Sequence, residues 1–264
     1  MSKRYDALNK KAKRVEITQV RGGFREKRED LVVSELPLVL LVNGKRLVTM
    51  YCSPDNLEAL ALGCLTSSEL IRDRDDVISM KLKKDERVLD IQLKEEKKLV
   101  EKPLQLKALA SGCGKGELYS FLPAQKIDAR VYISEDKIFT LMRKFKRKSQ
   151  LFKDTGGVHS AALCKQEEII LFAEDIGRHN ALDKIIGESL QEGIPLEDKI
   201  ILSSGRMTSE IVTKLAKQRT PILISKAAPT DLGIQIAQEI GMTLVGFVRG
   251  KRMNIYSHNW RIKK

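Results

Sequence analysis

The sequence is short of cysteine, of aromatic side chains and of long apolar runs, and each shortage removes a class of function. Four cysteines occur in 264 residues: Cys52, Cys64, Cys113 and Cys164. They are widely separated and include no Cys-x-x-Cys, so spacing assembles neither a disulfide scaffold nor a zinc site. Zinc-dependent nucleobase deaminases need His-x-Glu and Pro-Cys-x-x-Cys; here His159 is followed by Ser160-Ala161 and no cysteine pair exists. No run reaches the roughly 18 apolar residues of a membrane-spanning helix. The basic stretch Met1 to Arg14 has no apolar segment of a secretory signal. A cytoplasmic location with no membrane partner is expected. Aromatics are 5% of residues, too few for a single-strand stacking platform, and no helix-turn-helix or RNA-binding signature occurs. Nucleic acid is therefore not the expected partner. The Gly-x-x-x-x-Gly-Lys-Ser/Thr phosphate loop is also missing.

Acidic residues are in deficit as well. Lys and Arg number 48 against 35 Asp and Glu, a net charge of +13. That excess favours an anionic partner. It concentrates in two stretches, Arg130 to Lys153 with eight basic and two acidic residues, and Arg249 to Lys264 with six basic and none acidic. Lys81 to Lys107 mixes both signs and reads as solvated surface.

What is present reads as α/β. Val15 to Val20 alternates weakly, as a strand does. Leu36 to Val42 and Leu47 to Tyr51 flank Asn43-Gly44, the residues that a tight hairpin turn favours because both need φ > 0. Ser53-Pro54 fits an N-cap and first helical position, predicting a helix from Pro54 to about Leu65. Val77 to Leu82 and Arg87 to Leu93 read as strands. A helix is expected over Glu135 to Gln150, with Ile138, Leu141, Met142 and Phe145 on one face. Strands at Val158 to Leu163 and Glu168 to Ala173 follow. Helices over Gly177 to Leu190, Met207 to Lys217 and Thr230 to Ile240 then alternate with strands Lys199 to Ser203, Pro221 to Ser225 and a final strand Thr243 to Val248.

Such alternation predicts a mostly parallel sheet. The chain divides into a smaller strand-rich N-terminal domain (1–107), a connecting loop (108–130) and an α/β domain (131–264). In an open α/β sheet, ligands bind beyond the carboxyl ends of the strands. Arg206, Lys226, Arg249, Lys251 and Arg252 all follow strand ends, as does the run Phe247-Val248-Arg249-Gly250. Backbone donors at helix starts together with Arg forks suit a phosphate or pyrophosphate.

Three motifs carry candidate chemistry. Ser111-Gly112-Cys113-Gly114-Lys115-Gly116 leaves one cysteine uncrowded among glycines, beside a lysine that favours the thiolate. Thr155-Gly156-Gly157-Val158-His159 places a histidine before a strand. Glu174-Asp175-Ile176-Gly177-Arg178-His179-Asn180 packs two carboxylates, a guanidinium and an imidazole into a strand-to-helix junction. Asp175 suits helix capping. Arg178 and His179 suit proton transfer or ligand binding, and His159, Arg178 and His179 can equally tune a thiolate, position a cofactor or hold the fold.

These motifs together resemble the FdhD family of formate dehydrogenase accessory sulfurtransferases. The likeness runs from Glu35-Leu36-Pro37-Leu38 through Val42-Asn43-Gly44, Ser53-Pro54-Asp55, Ser111-Gly112-Cys113-Gly114 and the run EDIGRHNALDKIIG from Glu174 to Gly187. It continues through Ser204-Gly205-Arg206-Met207-Thr208-Ser209-Glu210 and Ala228-Pro229-Thr230 to Gly246-Phe247-Val248-Arg249-Gly250. The resemblance implies a carrier that takes sulfur from a cysteine desulfurase as a persulfide on Cys113. It implies delivery of that sulfur to molybdenum bis(molybdopterin guanine dinucleotide), the acceptor substrate, before the cofactor enters formate dehydrogenase. It further implies a homodimer, a C-terminal cytidine-deaminase-like three-layer α/β domain without zinc, and a cofactor-binding segment at Phe247, Val248, Arg249, Gly250, Lys251 and Arg252. Arg206, Lys226, His159, Arg178 and His179 complete the expected cofactor site. Many members carry Cys-x-x-Cys in the loop, whereas here the second position is Gly116. The resemblance therefore does not extend to a paired-cysteine mechanism, and a single thiolate has to suffice. The alternative reading is a non-catalytic cofactor-binding chaperone in which Cys113 is incidental.

Overall fold

A computed structural model describes residues 11–94 and 126–264. The Cys113 loop, and with it most of the expected connecting segment, lies outside the described residues. Among the described residues no helix is long and apolar enough to cross a membrane.

The chain opens with an antiparallel ribbon of β1 (Ala12–Arg21) and β2 (Phe24–Val33), reversed at Gly22-Gly23 with both glycines at positive φ. The ribbon is longer than its weak alternation suggests. Only its root is buried: Ala12, Leu31 and Val33 pack on Leu151, Val158 and Ile176. Strands β3 (Leu36–Val42) and β4 (Lys45–Cys52) form the expected hairpin, with Asn43 at φ 49° and Gly44 at φ 74°. With β5 (Val77–Lys83) and β6 (Val88–Leu93) they build a four-stranded sheet of order β4-β3-β6-β5. Helix α1 (Leu57–Ser67) shares a core with this sheet, built on Leu38, Leu40, Leu60, Leu65, Leu89 and Ile91.

Helix α1 does not start at Ser53-Pro54. It starts after Asn56, which sits in the left-handed region. Ser53 is used elsewhere: its N–H donates to Asp175 Oδ2 at 3.0 Å, and its hydroxyl accepts from the Ile176 N–H at 3.2 Å. A tertiary contact has claimed the groups that a helix cap would use.

The larger unit contains β7 (Ile133–Ser134), α2 (Glu135–Lys148), α3 (Gln150–Thr155), β8 (His159–Lys165), β9 (Glu168–Asp175) and α4 (Arg178–Gln191). It continues with β10 (Ile200–Ser203), α5 (Ser209–Lys217), β11 (Ile222–Ser225), α6 (Asp231–Ile240), β12 (Thr243–Arg249), β13 (Arg252–Ser257) and β14 (Ile262–Lys263). The expected single helix 135–150 is broken at Ser149, whose hydroxyl bonds to the Phe145 carbonyl and to Ser160 Oγ.

Six strands form one sheet of order β13-β12-β11-β10-β8-β9. It is mixed, not mostly parallel: β10, β11 and β12 run parallel, while β8, β9 and β13 are antiparallel to their neighbours. Thr243 to Val248 is not the final strand, because Gly250 at φ 58° turns the chain back into β13. Alternate strand residues face opposite layers. Ala161, Leu163, Ile201 and Leu223 pack with α4, α5 and α6; Ala162, Cys164, Leu202 and Ile224 pack with α2. Burial on both faces explains the continuous apolar runs of β10 and β11.

The two halves are joined by a close helix crossing and a buried charge network. A Cβ on Gly63 of α1 would lie 1.9 Å from the Asp183 carbonyl oxygen, and one on Gly187 of α4 would lie 1.8 Å from that of Ala59. Lys184, fully buried, reaches Asp175 and Asp55, each at 2.8 Å. Burial works against the Lys184 charge, but Asp175 and Asp55 outweigh it and hold the ammonium above its usual range. Asp183 is held by Lys214 at 2.6 Å and by Ser67 Oγ at 3.0 Å. Residues 126–130 are stitched to the α/β unit by Arg261, a member of the basic tail that is fully buried. Its guanidinium donates to the carbonyls of Ile127, Ala129 and Gly241.

Candidate functional site

Because β10, β11 and β12 are parallel neighbours, their carboxyl ends share one edge of the sheet, and the turns that follow them meet there. The first two turns are tied together. The Met207 N–H donates to the Ala228 carbonyl at 3.0 Å, the Thr230 N–H donates to the Met207 carbonyl at 3.2 Å, and Ser225 Oγ donates to the Gly205 carbonyl at 2.7 Å. The third turn joins through the Phe247 N–H, which donates to the Ala227 carbonyl at 3.1 Å. Phe247 pays for this position with φ 53°, a left-handed backbone that a bulky residue rarely adopts.

Cations converge on that edge. Burial holds His159 below its usual range, and Arg178, Lys226 and Arg206 push it the same way. Lys226 is lowered by burial and then by Lys146 and Arg249. Among the described residues, none of Arg178, Arg206, Lys226, Arg249 and Lys146 has a carboxylate partner. Arg178 lies on Gly205, where a Cβ would come within 2.9 Å of the arginine Cβ. The buried Arg178 Nε, His179 Nε2 and Thr208 Oγ1 have no hydrogen-bond partner among the described residues. His179 Nε2 does approach Glu210 Oε2 at 3.5 Å. Burial pushes His179 down to about 3, helped by Lys214, Arg178 and His159. His159 Nδ1 is 3.1 Å from Ser204 Oγ, which also accepts from the Ser160 N–H at 2.9 Å.

The expected site residues that are described thus fall into three groups. Arg206, Lys226, Arg249, Arg178, His159 and His179 form one electrostatically linked set, with Phe247 at its rim. Gly250, Lys251 and Arg252 lie in the exposed reversal between β12 and β13, and Lys251 and Arg252 make no ion pair among the described residues. Val248 is 4% exposed and packs in the core shared with α2, so only its backbone is available to a ligand. Cys113 lies outside the described residues.

The run Glu174 to Asn180 divides its labour. Asp175 and Asn180 are structural: Asp175 Oδ1 accepts from the Gly177 N–H and from Asn180 Nδ2, which also donates to the Tyr51 carbonyl. Glu174 accepts the Leu151 and Phe152 N–H groups at the start of α3. Only Arg178 and His179 are electrostatically tied to the cationic edge. Glu174 and Ser204 lay in motifs already singled out, whereas Lys146 and Phe152 belong to the neighbourhood of the edge but carried no local signal as part of a site; Lys146 was one residue in a basic helix.

The other cysteines are inert by position. Cys52, Cys64 and Cys164 are buried, and burial pushes each thiol up to about 12. Among the described residues no three His, Cys, Asp or Glu side chains cluster as metal ligands.

Known proteins match most of the chain. The FdhD/NarQ family model matches residues 33–263. A protein named sulfur carrier protein FdhD from Bacillus pumilus is 43% identical, over 96% of this chain and 97% of that protein. Its namesake from Bacillus subtilis is 38% identical, over 94% and 98%. The crystal structure of a protein described as a formate dehydrogenase accessory protein from Desulfotalea psychrophila shares the fold. Its TM-score is 0.80 at 24% identity, over 96% of this chain and 100% of that one. With the family model spanning residues 33–263 and a relative 43% identical over 96% of the chain, the chain belongs to the FdhD/NarQ family.

Proposed function

We propose that this protein is a sulfur carrier serving formate dehydrogenase, and that its cationic sheet edge binds the phosphates of a guanine-dinucleotide molybdenum cofactor while Cys113 delivers the sulfur. The observation that carries this reading is the edge itself: five cations without a carboxylate partner among the described residues, beside Ser-rich and Gly-containing turns. Like charges brought together this way cost folding free energy, and an anionic ligand offsets that cost. The names of the relatives support the sulfur.

The chemistry asks little of the remaining side chains. The Cys113 thiolate attacks the outer sulfur of a cysteine desulfurase persulfide. A new S–S bond forms, the old one breaks, and the desulfurase thiolate leaves. Delivery then returns the Cys113 thiolate, and the outer sulfur becomes a sulfide ligand by taking two electrons from the metal centre of the substrate. Arg178, Arg206, Lys226 and Arg249 bind and orient the phosphates. His159 and His179 are neutral near pH 7 and act as hydrogen-bonding groups. In the same reading the α/β unit is a deaminase-like framework used without zinc, the protein is a cytoplasmic homodimer, and the recipient of the cofactor is formate dehydrogenase.

Mass spectrometry after incubation with a desulfurase and cysteine tests this. The expected result is a reducible adduct of one sulfur atom on Cys113, absent from Cys113→Ala, with formate dehydrogenase maturation lost in the same variant. Full maturation by Cys113→Ala would instead establish a cofactor chaperone with an incidental cysteine.

A further inference from the structure

The cationic edge contains an arrangement that its phosphate-binding reading does not by itself require. Lys226 follows β11 on a flexible stem, and its ammonium lies 4.5 Å from the centroid of the Phe152 ring. Lys146 and Arg249 both press on it electrostatically. A lysine in such a field gains by swinging into water, since its charge is strongly hydrated and its stem is mobile. A carboxylate would hold it in place, but would also cancel the charge that an anion is to meet. An aromatic face attracts the ammonium through its quadrupole and leaves the net charge intact.

The ring is itself held. Phe152 is 39% exposed, and its backbone is anchored. The Leu151 and Phe152 N–H groups donate to the two oxygens of Glu174 at 3.1 and 3.2 Å. Glu174 lies on β9, beside the strand that carries His159. The Glu174 carboxylate is therefore turned to the amides of α3 and is not paired with Lys226.

We propose that Phe152 is a positioning residue of the cationic edge, its ring holding the Lys226 ammonium where the phosphates of the ligand meet it, with Glu174 fixing the turn that carries the ring. The inference rests on the reading of the edge as a phosphate site. It assigns Phe152 no contact with the ligand.

The test is equilibrium binding of guanosine diphosphate and, separately, inorganic pyrophosphate to the purified full-length protein. The variants are Phe152→Leu, Phe152→Trp, Lys226→Gln and the double variant Phe152→Leu/Lys226→Gln. Phe152→Leu is expected to weaken both probes by roughly 3- to 10-fold, the scale of a partly exposed cation–π contact. Phe152→Trp, with the stronger quadrupole, should retain the affinity. In the Lys226→Gln background, Phe152→Leu should cost nothing further, because its effect runs through the lysine. Unchanged binding by Phe152→Leu while Lys226→Gln weakens it overturns the inference and leaves the phosphate site standing. Additive losses, or a loss confined to guanosine diphosphate, overturn it too, since the ring would then act on the base or the fold. Binding of neither probe by the parent protein removes the phosphate reading and the inference together, whereas binding that Lys226→Gln leaves unchanged overturns the inference alone.

Discussion

Cys52, Cys64 and Cys164 show how burial decides which thiol can react. Each sits in a core, and each has its pKa pushed up to about 12. At pH 8 that leaves a thiolate fraction of roughly one in ten thousand. For Cys52 the neighbouring Asp175 adds to the effect of burial; for Cys64, Asp183 does so. Titration of the folded protein with a thiol-specific disulfide reagent should therefore release one equivalent rapidly, and denaturation should expose all four cysteines. Rapid reaction of two or more thiols in the native protein would break the assignment of sulfur transfer to a single residue. In the sequence, Cys113 was singled out by its glycine neighbours and the nearby Lys115. That distinction is local and could be read without a structure.

At the scale of elements, the crossing of α1 and α4 is the tightest contact between the two halves. At Gly187 an added methyl would land 1.8 Å from the Ala59 carbonyl oxygen, and neither helix backbone can yield without separating Asp183 from Ser67 or Lys184 from Asp55. Gly187→Ala is expected to cost about 3 kcal/mol or more, at the upper end of overpacking. The urea midpoint measures this, and a midpoint within error of the parent's would show that the helices slide apart freely. Elements of this kind were legible when their signal was local: the Asn43-Gly44 hairpin, a helix beginning near Thr230, and the apolar face of α2. Strand direction was not legible, because β8 and β10 are buried on both faces and a doubly buried strand reads the same in either direction. Ser53 looked like a helix cap because the partners that claim it, Asp175 and Ile176, are more than a hundred residues away. Arg206, Lys226 and Arg249 could be found because strand ends can be found. Lys146 and Phe152 reach the same edge from α2 and α3, and only the packed structure brings them there.

For the whole molecule, the net charge of +13 is not evenly answered by acids. The pairs Lys184–Asp175 and Lys214–Asp183 consume carboxylates at the join between halves, while the sheet edge keeps its cations unpaired among the described residues. Histidines near that edge are held neutral by burial first, and by the neighbouring cations second. His179 stands at about 3 in the folded protein, against a usual 6.5. Below pH 6.5 the unfolded chain takes up a proton there that the folded chain refuses, so acid favours unfolding. The loss is about 1.4 kcal/mol per pH unit, or about 2 kcal/mol from this residue by pH 5. His159 adds to it in the same direction. Glu174, Asp183 and Glu188, each raised by burial, have the opposite sign: their contribution is present at low pH and is lost as pH rises through their range. The parent's pH profile is therefore a sum, and His179→Gln isolates one part of it. Urea unfolding of both proteins at pH 7 and pH 5 should show a smaller loss of stability for the variant, by about 2 kcal/mol. Equal losses would mean that burial, with the cations Lys214 and Arg178 beside it, does not hold His179 neutral in the folded protein.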